Sequence, residues 1–345
     1  MQLRSTRPAL LPLLALPFAL IACQAEVPQP SSTTAHDAQL AESLGVQADL
    51  TVELIAGGLQ NPSWVSFSPE GVLTVCDSGH GRVAQVIDGK LSDYITGFPT
   101  EYWKVDADSG AQRFQLGPLS AAWMGSTLVV SDAGRKDGEE VLRFFEGGGT
   151  ASDGREGQSF ETEGNLTGLY VDDERIFVAG QGSDDKSWIL VSDAEGTLSG
   201  FASADEHGIA INSPMQTWVT DGKVLCVYSG AGGVEDGLLV EWNADGTPSR
   251  QWTLPGLADP MGFAPLADGR LAMVDNNWAL TAVQAGRLAR VTLPEAGGAA
   301  EVEIVADALQ GPVHCATGPD GRLYIAQLGE RFDAELGQVL AIGNL

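Results

Sequence analysis

His80 follows Asp77 by three residues, and His314 follows Pro312 by two. An imidazole beside a carboxylate can serve as a general base, and imidazoles grouped with a carboxylate can ligate a metal. His80, His314 and Asp77 are therefore the catalytic candidates, with hydrogen-bonded packing as the plainer reading of each histidine. Asp77, Asp132 and Asp275 each end a short apolar run, in VLTVCD, TLVVSD and RLAMVD. A ring of such carboxylates could hold a divalent cation such as Ca²⁺. A carboxylate at a strand end also caps the following turn by accepting backbone N–H bonds, which is the simpler role. Asp132, Asp275, Asn276 and Gln216 are further ligand-binding candidates. Trp103, in TEYWKV, and Trp278, in DNNWAL, offer aromatic faces to a sugar ring or a partner, or plugs folded on a rim.

Residues so far apart in the chain need a scaffold that gathers them. Six segments share one pattern: an entry with Pro or Leu, a short apolar strand, a tight turn, and a second apolar strand. The entries are Pro62, Pro118, Leu166, Pro214, Pro260 and Pro312, at intervals of 46 to 56 residues. Turns such as Asp221-Gly222, Asp268-Gly269 and Asp320-Gly321 supply the positive φ that a two-residue hairpin needs. Third strands follow, among them GRVAQVID (81–88) and GQVLAIG (337–343), and then fourth strands such as AEVEIVA (300–306). Helical periodicity is nearly absent. Six repeats of four antiparallel strands predict an all-β fold, a six-bladed β-propeller spanning 49–345. Two stretches exceed the template. GFPTEYWKVDADSGAQRF (97–114) contains Tyr102, Trp103 and Lys104, and EGGGTASDGREGQSFETEG (146–164) reads as a mobile Gly-rich insertion.

The last repeat runs out of chain after its third strand. Its missing fourth strand is foreshadowed at the other end, where VELIAGGLQNP (52–62) echoes VEIVADALQGP (302–312). The N-terminal strand, about 50–57, is therefore expected to complete blade six and close the ring, removing two open edges.

Ahead of the repeats, Arg4 and Arg7 precede the apolar run 9–22, which is short and broken by proline. It ends in Leu20-Ile21-Ala22-Cys23, which resembles the bacterial lipobox. That resemblance implies a signal peptide over 1–22 and a lipidated Cys23 that anchors the protein to a bacterial membrane. Gln24, in place of Asp, favours the outer membrane. Residues 23–48, rich in Pro, Ser, Thr and Ala, read as a flexible tether, with a short helical turn at 38–45.

The chain carries 46 acidic and 19 basic side chains, a formal charge of −27, which argues against a nucleic-acid partner. Beyond Cys23, Cys76, Cys226 and Cys315 remain. A Cys76–Cys315 disulfide is open if the first and last blades touch, with free buried thiols the simpler state. No Gly-x-Ser-x-Gly elbow and no Cys-x-x-Cys pair occurs. DADSG (106–110) starts like a calcium loop but lacks its later acidic positions.

The entry-strand-turn-strand pattern, best seen in GPVHCATGPDGRLYIAQ (311–327), resembles NHL-repeat propellers and the senescence-marker-protein/gluconolactonase superfamily. The latter implies hydrolysis of lactones or phosphotriesters at a divalent ion, with a Glu two residues before the first entry Pro. Here that residue is Gln60. The resemblance also implies Asn or Asp ligands just after later entries. This chain has Leu119, Met215, Met261 and Val313 there. Nor can the Arg/Lys and His set of a quinoprotein dehydrogenase be placed. The expectation is therefore a monomeric, envelope-anchored module that binds a saccharide, another small ligand or an envelope protein, in preference to an enzyme. The alternative is a lactonase- or phosphotriesterase-like hydrolase that uses Ca²⁺ or another divalent ion.

Overall fold

The structure, a computed structural model, describes residues 35–105, 112–136, 138–160, 165–173, 175–181, 187–277, 286–329 and 335–345. Cys23, Trp278 and the 106–110 stretch lie outside the described residues. Helix Ala35–Ser43 opens the described chain, and every other long element is a strand.

The strands form a six-bladed β-propeller. Blade one pairs Pro62–Phe67, Leu73–Asp77, Arg82–Ile87 and Lys90–Thr96. Blade two has Pro118–Met124, Thr127–Asp132, Val141–Phe145 and Arg155–Glu156, and blade three Leu169–Asp172, Arg175–Gln181, Ser187–Ser192 and Leu198–Ser203. Blade four has Pro214–Thr220, Lys223–Tyr228, Leu238–Trp242 and Pro248–Thr253, and blade five Pro260–Pro265, Leu271–Asp275, Gly286–Thr292 and Glu301–Leu309. Blade six takes Pro312–Thr317, Leu323–Gln327 and Gly337–Gly343 from the C-terminus and Thr51–Leu59 from the N-terminus. The closing pair runs antiparallel from Thr51 opposite Gly343 to Leu59 opposite Gly337.

The two-residue hairpin expected from the sequence forms at Asp221-Gly222, whereas at Asp268-Gly269 and Asp320-Gly321 only the Gly has positive φ and the pairing stops at Pro265 with Leu271 and at Thr317 with Leu323, which makes longer turns. Asp221 and Gly222 both have positive φ between the paired Thr220 and Lys223, the backbone a tight two-residue turn requires. Alternating apolar side chains pack the faces of neighbouring blades. Trp242, Tyr228 and Phe177 fill the space between blades three and four, and Met273, Phe263 and Trp252 that between blades four and five. Trp123 and Trp218 are half-buried against such clusters.

Two further expectations are corrected. The 146–164 insertion is built into the ring where it is described. Gly149–Thr150 pairs in parallel with Ile95–Thr96 of blade one, and Arg155–Glu156 forms the outer strand of blade two. Between them, Asp153 Oδ2 accepts the Thr150 N–H at 2.7 Å, so a capped turn replaces the mobile Gly-rich loop. The described part of the expected tether, 35–48, also joins the ring. Leu44 is buried with Leu309 and Ile342, Leu40, Ala41 and Val46 pack against the same cluster, and the Gln47 N–H donates to the Val305 carbonyl at 2.9 Å. Polar composition hid these few apolar anchors.

Cys76, Cys226 and Cys315 are buried free thiols. Cys76 packs between blades one and two, and Cys315 between blades five and six.

Candidate functional site

In every sheet the strand that opens the blade lies at one end of the order. Its second hydrogen-bonding edge is therefore free and faces the axis of the ring. The start of this inner strand pairs with the end of the second: Pro62 with Asp77, Pro118 with Asp132, Pro214 with Tyr228, Pro260 with Asp275 and Pro312 with Gln327. These ends make one mouth of the ring. Asn61, Asn165, Ser213 and Gly311, each just before an entry, have positive φ, a conformation that favours Asn and Gly. That kink turns the chain from an outer strand onto the next inner one.

Burial alternates with depth along the inner strands. The residue one past each entry is half-buried in all six blades: Ser63, Leu119, Thr167, Met215, Met261 and Val313. The next residue is buried in all six, as Trp64, Ser120, Gly168, Gln216, Gly262 and His314. The mouth is thus a mainly apolar ring above a more deeply buried layer, called the floor below. Gly262 fits the floor because a Cβ there would lie 3.0 Å from His314 Cα and 3.1 Å from Gln216 Oε1.

The mouth carboxylates are committed to structure. Asp77 is fully buried. Its Oδ1 accepts the Gln60 N–H at 2.7 Å, and its Oδ2 meets His80 Nδ1 at 2.7 Å and Arg82 Nε at 2.8 Å. Asp275 accepts the Asp259 N–H at 2.7 Å and the Ala258 N–H at 3.2 Å, and burial raises its pKa above the usual carboxylate value. In blade six Gln327 does the same work, its Oε1 accepting the Gln310 N–H at 3.1 Å. Asp132 differs. Its Oδ2 accepts from Arg143 Nε at 2.7 Å and Arg135 Nε at 3.0 Å, while its buried Oδ1 has no hydrogen-bond partner among the described residues. Nothing in the sequence around Asp132 signalled these two arginines.

The two histidines are not alike. His80 is on the rim, between Asp77 and the exposed Glu335, whose Oε1 lies 3.2 Å from His80 Nε2. Burial lowers its pKa, but the bonds to Asp77 and Glu335 outweigh this, and the net shift is upward. His314 is in the floor, stacked on Trp64 with ring centroids 3.4 Å apart. Its Nδ1 accepts the Val65 N–H at 3.3 Å, and burial pushes its pKa down to about 3. His80 is tied into the blade-one rim and blade-six loop, whereas His314 serves the seam below. Gln216 likewise bonds the Phe263 backbone, and Asn276 Nδ2 donates to the Pro312 carbonyl at 3.0 Å. Sequence reading gave Trp64 no floor role, and the only available signal was its place two residues after an entry. Trp103 belongs to the strand Glu101–Val105, which pairs with Gln112–Leu116.

The donor set does not suit a hard cation. Gln60, where the family Glu would stand, donates from Nε2 to Gln115 Oε1 at 2.7 Å. Among the described residues no group of three or more His, Cys, Asp or Glu is placed to hold a metal.

No protein-family model and no curated protein matches the chain. Solved structures do. One is described as an oxidoreductase (glucose dehydrogenase) from Thermus thermophilus, at 15% identity and TM-score 0.60, covering 85% of this chain and 99% of that one. A structure described as a gluconolactonase aligns at 14% identity and TM-score 0.52, covering 88% and 94%. A streptogramin B lyase aligns at 12% identity and TM-score 0.51, covering 85% and 97%. At such identities the likeness is one of fold, which hosts many activities. The chain is thus a six-bladed β-propeller similar to sugar dehydrogenase, gluconolactonase and streptogramin B lyase structures.

Proposed function

We propose that this chain is a ligand-binding propeller of the bacterial envelope, anchored by lipid at Cys23, whose mouth receives a small molecule. One observation carries the reading. The rim carboxylates at Asp77, Asp132 and Asp275 hold backbone or arginine partners, Asp132 through Oδ2 alone, while four of the six residues of the half-buried ring, Leu119, Met215, Met261 and Val313, are apolar. Pockets that hold small ligands are mostly apolar with a few placed polar groups. Val234 and Leu336, among the exposed large apolar side chains, lie in loops after the second strands of blades four and six, at the same mouth.

The hydrolase reading rests on the similarity of fold to a gluconolactonase structure and needs a divalent ion. The two readings part in a thermal melt of the Cys23→Ser chain with excess Ca²⁺ and then with chelator. A ligand of the folded state raises the melting temperature by mass action. The binding reading expects coincident melts. A Ca²⁺-dependent rise would overturn it and make lactones and phosphotriesters the next substrates to test. The anchor is tested separately. Wild-type protein should label with fatty acid and sediment with membranes, and Cys23→Ala should do neither.

A further inference from the structure

Gln216 and His314 occupy the same place in blades four and six, two residues past the entry proline. Each reaches the free edge of the next blade's inner strand. Gln216 satisfies both groups of Phe263: its Oε1 accepts the N–H at 2.6 Å, and its Nε2 donates to the carbonyl at 3.0 Å. His314 satisfies only one group. Its Nδ1 accepts the Val65 N–H, which leaves the ring proton on Nε2. That Nε2 is buried and has no hydrogen-bond partner, on a residue only 3% exposed. A buried donor left unmet is costly and calls for an acceptor. The stack on Trp64, with ring planes 17° apart, fixes the plane of the donor ring.

The chemistry around this donor selects the acceptor. Val313, Met261 and Met215 lie half-buried, each one residue before the floor along its inner strand, with Met215 and Val313 also packed on the apolar clusters between blades. Burial keeps the imidazole neutral, so it offers an anion no charge. Nor can Nε2 ligate a metal while it carries the proton. We propose that the mouth takes a neutral ligand with an apolar body and a carbonyl or ether oxygen. The oxygen accepts from His314 Nε2, and the body covers Met215, Met261 and Val313. This rests on the mouth being a ligand site and adds the class of ligand. A molecule lacking the oxygen leaves the donor unmet, which is how such sites discriminate.

Cyclohexanone, cyclohexanecarboxylate and cyclohexylammonium carry the same ring with different polar groups. Each is titrated into the full chain carrying Cys23→Ser, following the His314 Nε2–H proton by NMR and tryptophan fluorescence. Cyclohexanone is expected to bind with the millimolar affinity of so small a probe and to move the proton downfield, and the two ions are not. His314→Gln copies blade four, where the amide is used up by the neighbouring strand, so it should fold and weaken cyclohexanone binding about tenfold. Binding of an ion in place of the ketone would overturn the neutral class and leave the mouth a ligand site. Failure of all three would overturn the mouth reading itself. Ketone binding that leaves the Nε2–H unmoved, or that survives His314→Gln unchanged, would show that a buried water holds the donor and would overturn the role of His314.

Discussion

Blade five and blade six are built from the same sequence words, yet only one of them is continuous in the chain. The outer strand of blade five, Glu301–Leu309, leads directly into the entry at Pro312, and that of blade six, Thr51–Leu59, leads into Pro62. Each ends at a buried leucine opposite a glycine of the third strand, Leu309 with Gly286 and Leu59 with Gly337. The two glycines do the same job. A Cβ on Gly286 would lie 2.2 Å from the Pro312 ring and 2.8 Å from the Leu309 carbonyl. On Gly337 it would lie 2.3 Å from the Pro62 ring and 2.8 Å from the Leu59 carbonyl. The repeat therefore specifies a local joint between one blade and the next, and is indifferent to whether the strands come from one stretch of chain. What differs is entropy: blade six must bring together segments nearly the whole chain apart before any of its contacts form.

The sharpest way to break that equivalence is to remove Thr51–Leu59. Blade six would keep three strands, the ring would lose its closing pair, and the edge of Gly337–Gly343 would open. We expect loss of the cooperative unfolding transition and association through the exposed edge, read by circular dichroism and gel filtration. A soluble monomer that still melts cooperatively would mean the closure is dispensable.

A smaller effect sharpens the comparison. Gly286→Ala and Gly337→Ala each force a methyl into a proline ring and a carbonyl. Overpacking of this kind costs about 1–3 kcal/mol, and the two variants should be destabilised alike by urea denaturation. A marked difference between them would show that the joints only look equivalent.

These joints were legible in sequence because they are made of Leu, Gly and Pro at fixed offsets, and the closing strand could be placed from VELIAGGLQNP alone. The mouth was less legible. Asp77, Asp132 and Asp275 share one repeat position, but their partners, the backbone of Gln60 and Asp259 on one hand and Arg135 and Arg143 on the other, depend on which loop folds over them. His80 and His314 read as one pair because both lie close to the mouth in the chain. One residue of depth along an inner strand separates a half-buried ring from a buried floor, and only the pairing register, with its bulge between Pro312 and His314, sets that depth. Packing of 35–48 on the ring was hidden for another reason: its docking residues, Leu40, Ala41, Leu44 and Val46, fall within one short stretch, too brief to set a period.

The smallest effect belongs to the seam where the ring closes. His80 joins Asp77 of blade one to Glu335 of the blade-six loop, and Arg82 shares the same Asp77 oxygen. At the equivalent strand end in blade five, Asp275 accepts backbone N–H groups. The closure should therefore carry its own pH dependence. His80 has a raised pKa in the folded chain, so folding favours the imidazolium. Its contribution is fully present below the unfolded value, near 6.5, and is lost as pH rises through the higher folded value. Because Glu335 is 69% exposed on its side chain, its contact is worth only about 0.2–1 kcal/mol. Glu335→Gln should remove part of the stability at pH 6 and none at pH 9, by chemical denaturation at both. Equal losses at the two pH values would mean that Glu335 acts through packing and that the seam holds no charge-dependent link.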